Sequence, residues 1–375
     1  MLTGITLASC AVDAQDRYLA ALSGVAFLET ETGIQVVAAS AMESALTRFT
    51  FDGMLTEREV FRLSPGAGLH DLIATETGLT ALARWGTAVL VDANNFAQTG
   101  AENLVALDGS ASSTRGIEGL SLTTLPQGIV QISDTINLPL GDVIALSSLS
   151  DGRVIAGSAF DTGIALLDAA GLILDVALAE DGFWHSRVSD IETVQVGTRD
   201  FVIVAASGSS SISVFEVDGD ELILTDHEWD NATTHFYGVS ELATARIGDM
   251  TIVAAGGTDA GLSLFELTAD GDLIHLRDIT DTPETTLADI SGLDLIAHGD
   301  GALLVASSER DNGLSVFELE FEFAPPKPDM IWHVGSEIWF TNEQRMSGAA
   351  AIPEDTIIQE APAWIAEWAQ EDILM

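Results

Sequence analysis

Cys10 is the only cysteine in 375 residues, so no disulfide can form within the chain and no cysteine-rich metal site can assemble. Lysine is as scarce: Lys327 stands alone, and 14 basic residues against 58 acidic ones leave a formal net charge of −44. A field of that sign repels nucleic acid and anionic membrane surfaces and attracts cations, which excludes nucleic-acid binding as a function class. No stretch approaches about eighteen uninterrupted apolar residues, so no membrane-spanning helix is expected. The first residues lack a basic region followed by a long apolar run, so no cleaved secretory signal is expected there. The motifs GxSxG, HExxH, the phosphate-binding loop and the dinucleotide fingerprint are all missing.

What is present is a large apolar share. Hydrophobic residues make up 47% of the chain, too many for a disordered polyanion, so the acid belongs on the surface and in the loops of a packed fold. An acidic surface also suits solubility in salt-tolerant or marine bacteria, with no ligand involved.

Self-similarity organises the packed part. "RVIAGSAFDTGIALLDAAGLILDVAL" from Arg153, "FVIVAASGSSSISVFEVDGDELILTDH" from Phe201, "MTIVAAGGTDAGLSLFELTADGDLIHLRDI" from Met250 and "ALLVASSERDNGLSVFELEFEF" from Ala302 align with one another. Each has an apolar run, a small polar turn, an alternating run, a glycine-containing turn and a second alternating run. The first run, such as Val202 to Ala206, is apolar throughout, as a strand covered on both faces must be. The second alternates, as between Leu262, Leu264 and Glu266 on one face and Ser263, Phe265 and Leu267 on the other. A further strand precedes each unit: "VSDIETVQV" from Val188, "VSELATARI" from Val239 and "ISGLDLIAH" from Ile290. The alternating strands begin near Gly163, Ser211, Gly261 and Gly313, in steps of 48, 50 and 52 residues, which fits one four-stranded blade each. Weaker copies start at Ser23 and Asn103, and residues 68–86 between them are either an insertion or part of an extra blade.

The reading is an all-β protein: a β-propeller of six blades, with a seventh open, over residues 1–323, followed by a Pro-rich break and a short tail over 324–375. The last unit lacks an outer strand after "FELEFEF", whereas "LTGITLAS" at Leu2 to Ser9 is a strand with no blade of its own. The N-terminal strand is therefore expected to complete the last blade and close the ring, protecting its edges. In the tail, Trp364, Ile365 and Trp368 fall at helical spacing, so a short amphipathic helix docked on the propeller is one reading of it.

The units ending "GLSLFEL" and "GLSVFELE" resemble the propeller regions of secreted bacterial proteins that often precede hemolysin-type calcium-binding repeats; more loosely, they resemble lactonase-like propellers. The resemblance implies an extracellular protein, and the ending "AEWAQEDILM" looks like an uncleaved C-terminal signal for type I export. The nonapeptide calcium-binding repeat itself is absent, so calcium is possible and no cofactor is required.

Propellers gather ligands where the loops entering the inner strands converge. "FWHSRVSD", "THFYGVSE" and "GAGLHDL" are those loops, and they place Trp184, His185, His235, Phe236, Tyr237 and His70 on one rim. Tyr237 is one of only two tyrosines. The functional reading is an aromatic and imidazole site for a sugar, lactone or peptide; the alternative is that these groups plug the channel and join blades. Trp85 and Trp229 fall near blade edges and read as packing. Acids recur along the inner strands as Asp142, Asp190, Glu241 and Asp294, either as ligands of a divalent metal or as caps on neighbouring inner-strand amides. The leading expectation is a non-catalytic, monomeric binding or scaffold module for a protein or glycan partner. The runner-up is a lactonase-like, metal-assisted hydrolase.

Overall fold

The computed structural model describes residues 1–14, 17–63, 68–75, 78–83, 87–92, 96, 98–102, 106–107, 110–111, 121–124, 130–133, 143–158, 163–178 and 186–322. Among them every regular element is a strand. Strand β1 spans Leu2–Val12. The first sheet that follows contains β2 (Leu22–Thr30), β3 (Gly33–Ser40), β4 (Ala45–Phe51) and β5 (Leu55–Arg62); the second contains β6 (Leu69–Thr75), β7 (Gly78–Ala83), β8 (Thr87–Asp92) and β9 (Gln98–Glu102). Two short ladders come next, β10 (Ala106–Leu107) with β11 (Ser110–Ala111) and β12 (Ser121–Thr124) with β13 (Val130–Ser133). Three more four-stranded sheets comprise β14 (Val143–Ser148), β15 (Val154–Ser158), β16 (Gly163–Leu167) and β17 (Ile173–Leu178); β18 (Val188–Val196), β19 (Arg199–Ala206), β20 (Ser211–Asp218) and β21 (Glu221–Trp229); and β22 (Glu241–Ile247), β23 (Met250–Gly256), β24 (Gly261–Leu267) and β25 (Leu273–Thr280). The last strands are β26 (Ile290–His298), β27 (Gly301–Ser308) and β28 (Gly313–Phe321).

Five of the four-stranded sheets are antiparallel meanders in chain order, and the first strands of neighbouring sheets meet: β14 meets β18, β18 meets β22, β22 meets β26, β26 meets β2, and β2 meets β6. The core lies between sheets, and strand periodicity explains how. Phe201, Ile203 and Ala205 of β19 face forward onto Val253 and Phe265 of the next sheet, while Val202 and Val204 face back onto Ile155 and Ile164. Both faces of a second strand are therefore covered, which is why these runs are apolar throughout.

Closure follows the expected path. Strand β1 pairs antiparallel with β28, from Leu2 opposite Phe321 to Val12 opposite Gly313, and is the fourth strand of the β26–β28 sheet. It runs three residues past the Ser9 expected from sequence. Residues 68–86 are no insertion: their described part supplies β6 and β7 of a regular four-stranded sheet. The copy read from Asn103 onward contributes only the two separate ladders among the described residues. From residue 323 onward the chain, including the tail in which a helix was expected, lies outside the described residues.

Candidate binding surface at the channel rim

Inner strands β2, β6, β18, β22 and β26 surround a cavity of about 320 Å³, lined by Asp190, Glu192, Glu241 and Asp294 together with apolar groups such as Phe27, Leu72 and Ile296. Two of the carboxylates do the same structural job. Asp190 accepts the N–H of Ile191 on Oδ1 (2.8 Å) and that of Leu242, on the next inner strand, on Oδ2 (2.7 Å). Asp294 accepts Leu295 N–H on Oδ1 (2.8 Å) and Phe27 N–H on Oδ2 (2.6 Å), tying the last sheet to the first. Burial raises the Asp294 carboxyl to about 6, against the pull of those two backbone donors.

Repetition extends the device to the outer strands. Asp175 accepts Val176 and Leu222 N–H groups, and Asp226 accepts those of His227 and Leu273. Carboxylates with both oxygens on main-chain donors of two adjacent blades act as inter-blade staples.

Register separates the acids that sequence grouped together. Asp190 lies opposite Ala205 and Glu241 opposite Gly256, equivalent positions, whereas Asp294 lies opposite Val305, two residues further along, level with Glu192. Glu192 went unnoticed in the sequence; its Oε2 accepts the Thr244 hydroxyl (3.3 Å). Writing "VSDIETVQV" above "ISGLDLIAH" already aligns Glu192 with Asp294. Among the described residues no three carboxylate, imidazole or thiol groups are grouped as a metal ion would need. Asp142 lies outside the described residues.

The rim is built on residues 230–240, which leave β21 and enter β22. Asp230 Oδ1 accepts the Thr234 hydroxyl (2.9 Å) and Phe236 N–H (3.1 Å), closing the loop on itself. His235 N–H donates to Ser263 Oγ (2.7 Å), whose hydroxyl donates to Asp278 (2.7 Å). Tyr237 C=O accepts both the N–H (2.9 Å) and the hydroxyl (3.1 Å) of Thr258 on the turn between β23 and β24. That approach requires glycine at 257, since a Cβ there would lie 2.6 Å from the Tyr237 oxygen.

The predicted rim residues thus take different roles. Phe236 is fully buried, edge-on to Phe265 at 5.8 Å, and supports the loop from beneath. His235 is half-buried, its Nδ1 shielded from water 3.5 Å from Asp259 Oδ2. Tyr237 is 62% exposed on the pinned backbone. His70 is the second residue of β6, at a register shift between Leu69 and Asp71, and its side chain lies outside the described residues. Trp184 and His185 lie outside them as well. Trp229, read from sequence as packing, is 51% exposed, resting edge-on against His227 at 4.8 Å.

No protein-family model matches the chain, and no curated protein sequence does. Solved structures do. The chain resembles the β-propeller domain of Cps50 (Swd1) from Myceliophteria thermophila (TM-score 0.55, 13% identity, 80% of this chain and 96% of that one). It also resembles U3-55K (TM-score 0.57, 13% identity, 84% and 98%) and the WD40 β-propeller domain of Doa1 (TM-score 0.57, 14% identity, 84% and 97%). At these identities the likeness establishes the fold. The unit Met1–Phe321 has the β-propeller fold.

Proposed function

We propose that this propeller is a non-catalytic, extracellular binding module that needs no cofactor and engages a protein partner through the rim formed by residues 230–240. The observation that carries the reading is Tyr237. A large aromatic, 62% exposed, stands on a loop whose backbone is tied to Ser210, Ser263 and Thr258, so little conformational freedom remains to be lost on binding. Rigid exposed aromatics are the residues that dominate protein-contact energetics. The use of Asp190 and Asp294 as inter-blade staples supports a structural rather than catalytic role for the channel acids. The extracellular setting rests on the resemblance of the "GLSLFEL" units to secreted propeller regions, and detection of the native protein in the culture medium tests it.

Panning a random peptide library against the purified protein tests the binding role. Selected peptides are expected to lose affinity for Tyr237→Ala and to keep it for Met54→Ala, a substitution at an exposed turn on the opposite side of the blades. Peptides indifferent to Tyr237→Ala would place the binding surface elsewhere.

A further inference from the structure

Repeats expose what is particular to one blade. The loop 281–289 repeats the Asp-anchored turn of loop 230–240: Asp281 Oδ1 accepts the Thr285 hydroxyl and Leu287 N–H as Asp230 Oδ1 accepts the Thr234 hydroxyl and Phe236 N–H. The copy aligns Tyr237 with Ala288. Likewise the register position of Trp229, opposite Ser211, is held by Thr280 opposite Gly261 and by Leu178 opposite Gly163. The exposed aromatics Trp229 and Tyr237 are therefore not what the repeat produces. The Asp-anchored turn does not require them either, since the neighbouring loop forms it without them.

Elsewhere among the described residues, three aromatic rings lie under one of the chain's own arginines. Arg48 lies over Phe96 (4.7 Å), Arg62 over Tyr18 (4.1 Å) and Arg199 over Phe201 (5.1 Å). No lysine or arginine occurs between Arg199 and Arg246, so the stretch that carries Trp229 and Tyr237 has no cation of its own. Carboxylates occur there instead: Asp230 follows Trp229 in the chain, and Asp259 sits on the turn to which Tyr237 is bonded.

We propose that Trp229 and Tyr237 dock an arginine-bearing basic segment of a partner protein, its guanidinium groups stacking on the two rings while the neighbouring carboxylates supply the opposite charge. This rests on the binding role of the rim and names the chemistry of the partner. The π faces attract a cation, and Arg stacks better than Lys because its head is planar and weakly hydrated.

Fluorescence anisotropy at 150 mM NaCl tests this with a labelled (Arg-Gly)5 peptide as probe, and (Ser-Gly)5 and maltoheptaose as comparisons. The wild type is expected to bind (Arg-Gly)5 and not the other two. Two exposed cation–π contacts together correspond to about a tenfold loss in the Trp229→Ala/Tyr237→Ala double variant. Tyr237→Lys, at an exposed tip, gives an independent loss by repulsion should the double variant fold poorly. Glu31→Gln, an exposed acid on the turn between β2 and β3, should leave binding unchanged. Binding of (Arg-Gly)5 that survives both aromatic variants means that net charge alone attracts it and overturns the proposal, as does no binding. Binding of maltoheptaose that the same variants abolish replaces the basic segment with a glycan. Library peptides that need Tyr237 but contain no arginine or lysine leave the rim reading standing and remove this one.

Discussion

At the scale of single residues, neighbours in sequence do opposite work. Phe236 fills the core between the β18–β21 and β22–β25 sheets, and Tyr237 beside it faces water. Phe236→Ala should therefore cost about 3–5 kcal/mol in denaturant unfolding, as large-to-small core substitutions do, whereas Tyr237→Ala should fall within about 0.5 kcal/mol of wild type. Equal losses would mean that the loop is packed differently. The sequence offered both aromatics as one cluster because alternation along an irregular loop does not reveal which side chain meets Phe265. Asp294 makes a second residue-level prediction. Its folded carboxyl titrates at about 6, above its ordinary 3.8, so burial penalises the ionised form. Between those two values the folded state holds a proton that the unfolded state has released, so stability should rise as pH falls through 6 toward 4. The full effect is about 3 kcal/mol. Asp294→Asn removes this titration. Chemical unfolding at pH 4.5, 5.5, 6.5 and 7.5 should show the variant gaining on wild type as pH rises; a constant difference would mean that Asp294 is ionised throughout.

At the scale of elements, the closing strand was legible because repetition makes a missing part conspicuous. A unit without an outer strand at one end and a strand without a unit at the other fit only one way, and β1 pairs with β28 as that count requires. Less was legible in the local geometry of the strands. Register shifts recur at the second residue of β2, β6, β14, β18 and β26, yet they leave no mark in the apolar pattern. Strand β1 also makes a prediction. Only Leu2 and Ala11 of its eleven residues are buried, so its attachment rests largely on the backbone ladder. Deleting residues 1–12 should expose the β28 edge and lower the melting temperature. A synthetic peptide of residues 2–12, supplied at about 100 times its Kd, should restore about 2.7 kcal/mol by mass action. If the truncated protein melts like wild type, or the peptide adds nothing, β1 does not act as the separable closing element that its pairing implies.

Over the whole molecule, the acid that sequence assigned to surfaces and loops has two fates. Asp175, Asp190, Asp226 and Asp294 face inward between blades and are matched by backbone N–H groups. The rest belong to a total of 58 acidic residues that 14 basic ones cannot balance, and the net charge of −44 stores self-repulsion in the folded ring. Salt screens repulsion between exposed charges and leaves the short staples nearly untouched, because the Debye length falls from about 10 Å at 0.1 M to about 3 Å at 1 M. The melting temperature should therefore climb with NaCl over that range. Divalent ions separate diffuse screening from a true site. Calcium takes six to eight oxygen ligands in flexible geometry, while magnesium demands a tight octahedron, so a coordinating cage distinguishes them and a diffuse field does not. CaCl2 and MgCl2 at equal millimolar concentration should raise the melting temperature equally. A calcium shift well above the magnesium one would reveal a cage and return the channel acids to the role of metal ligands. Equal shifts leave Asp190 and Asp294 as the staples that join one blade to the next.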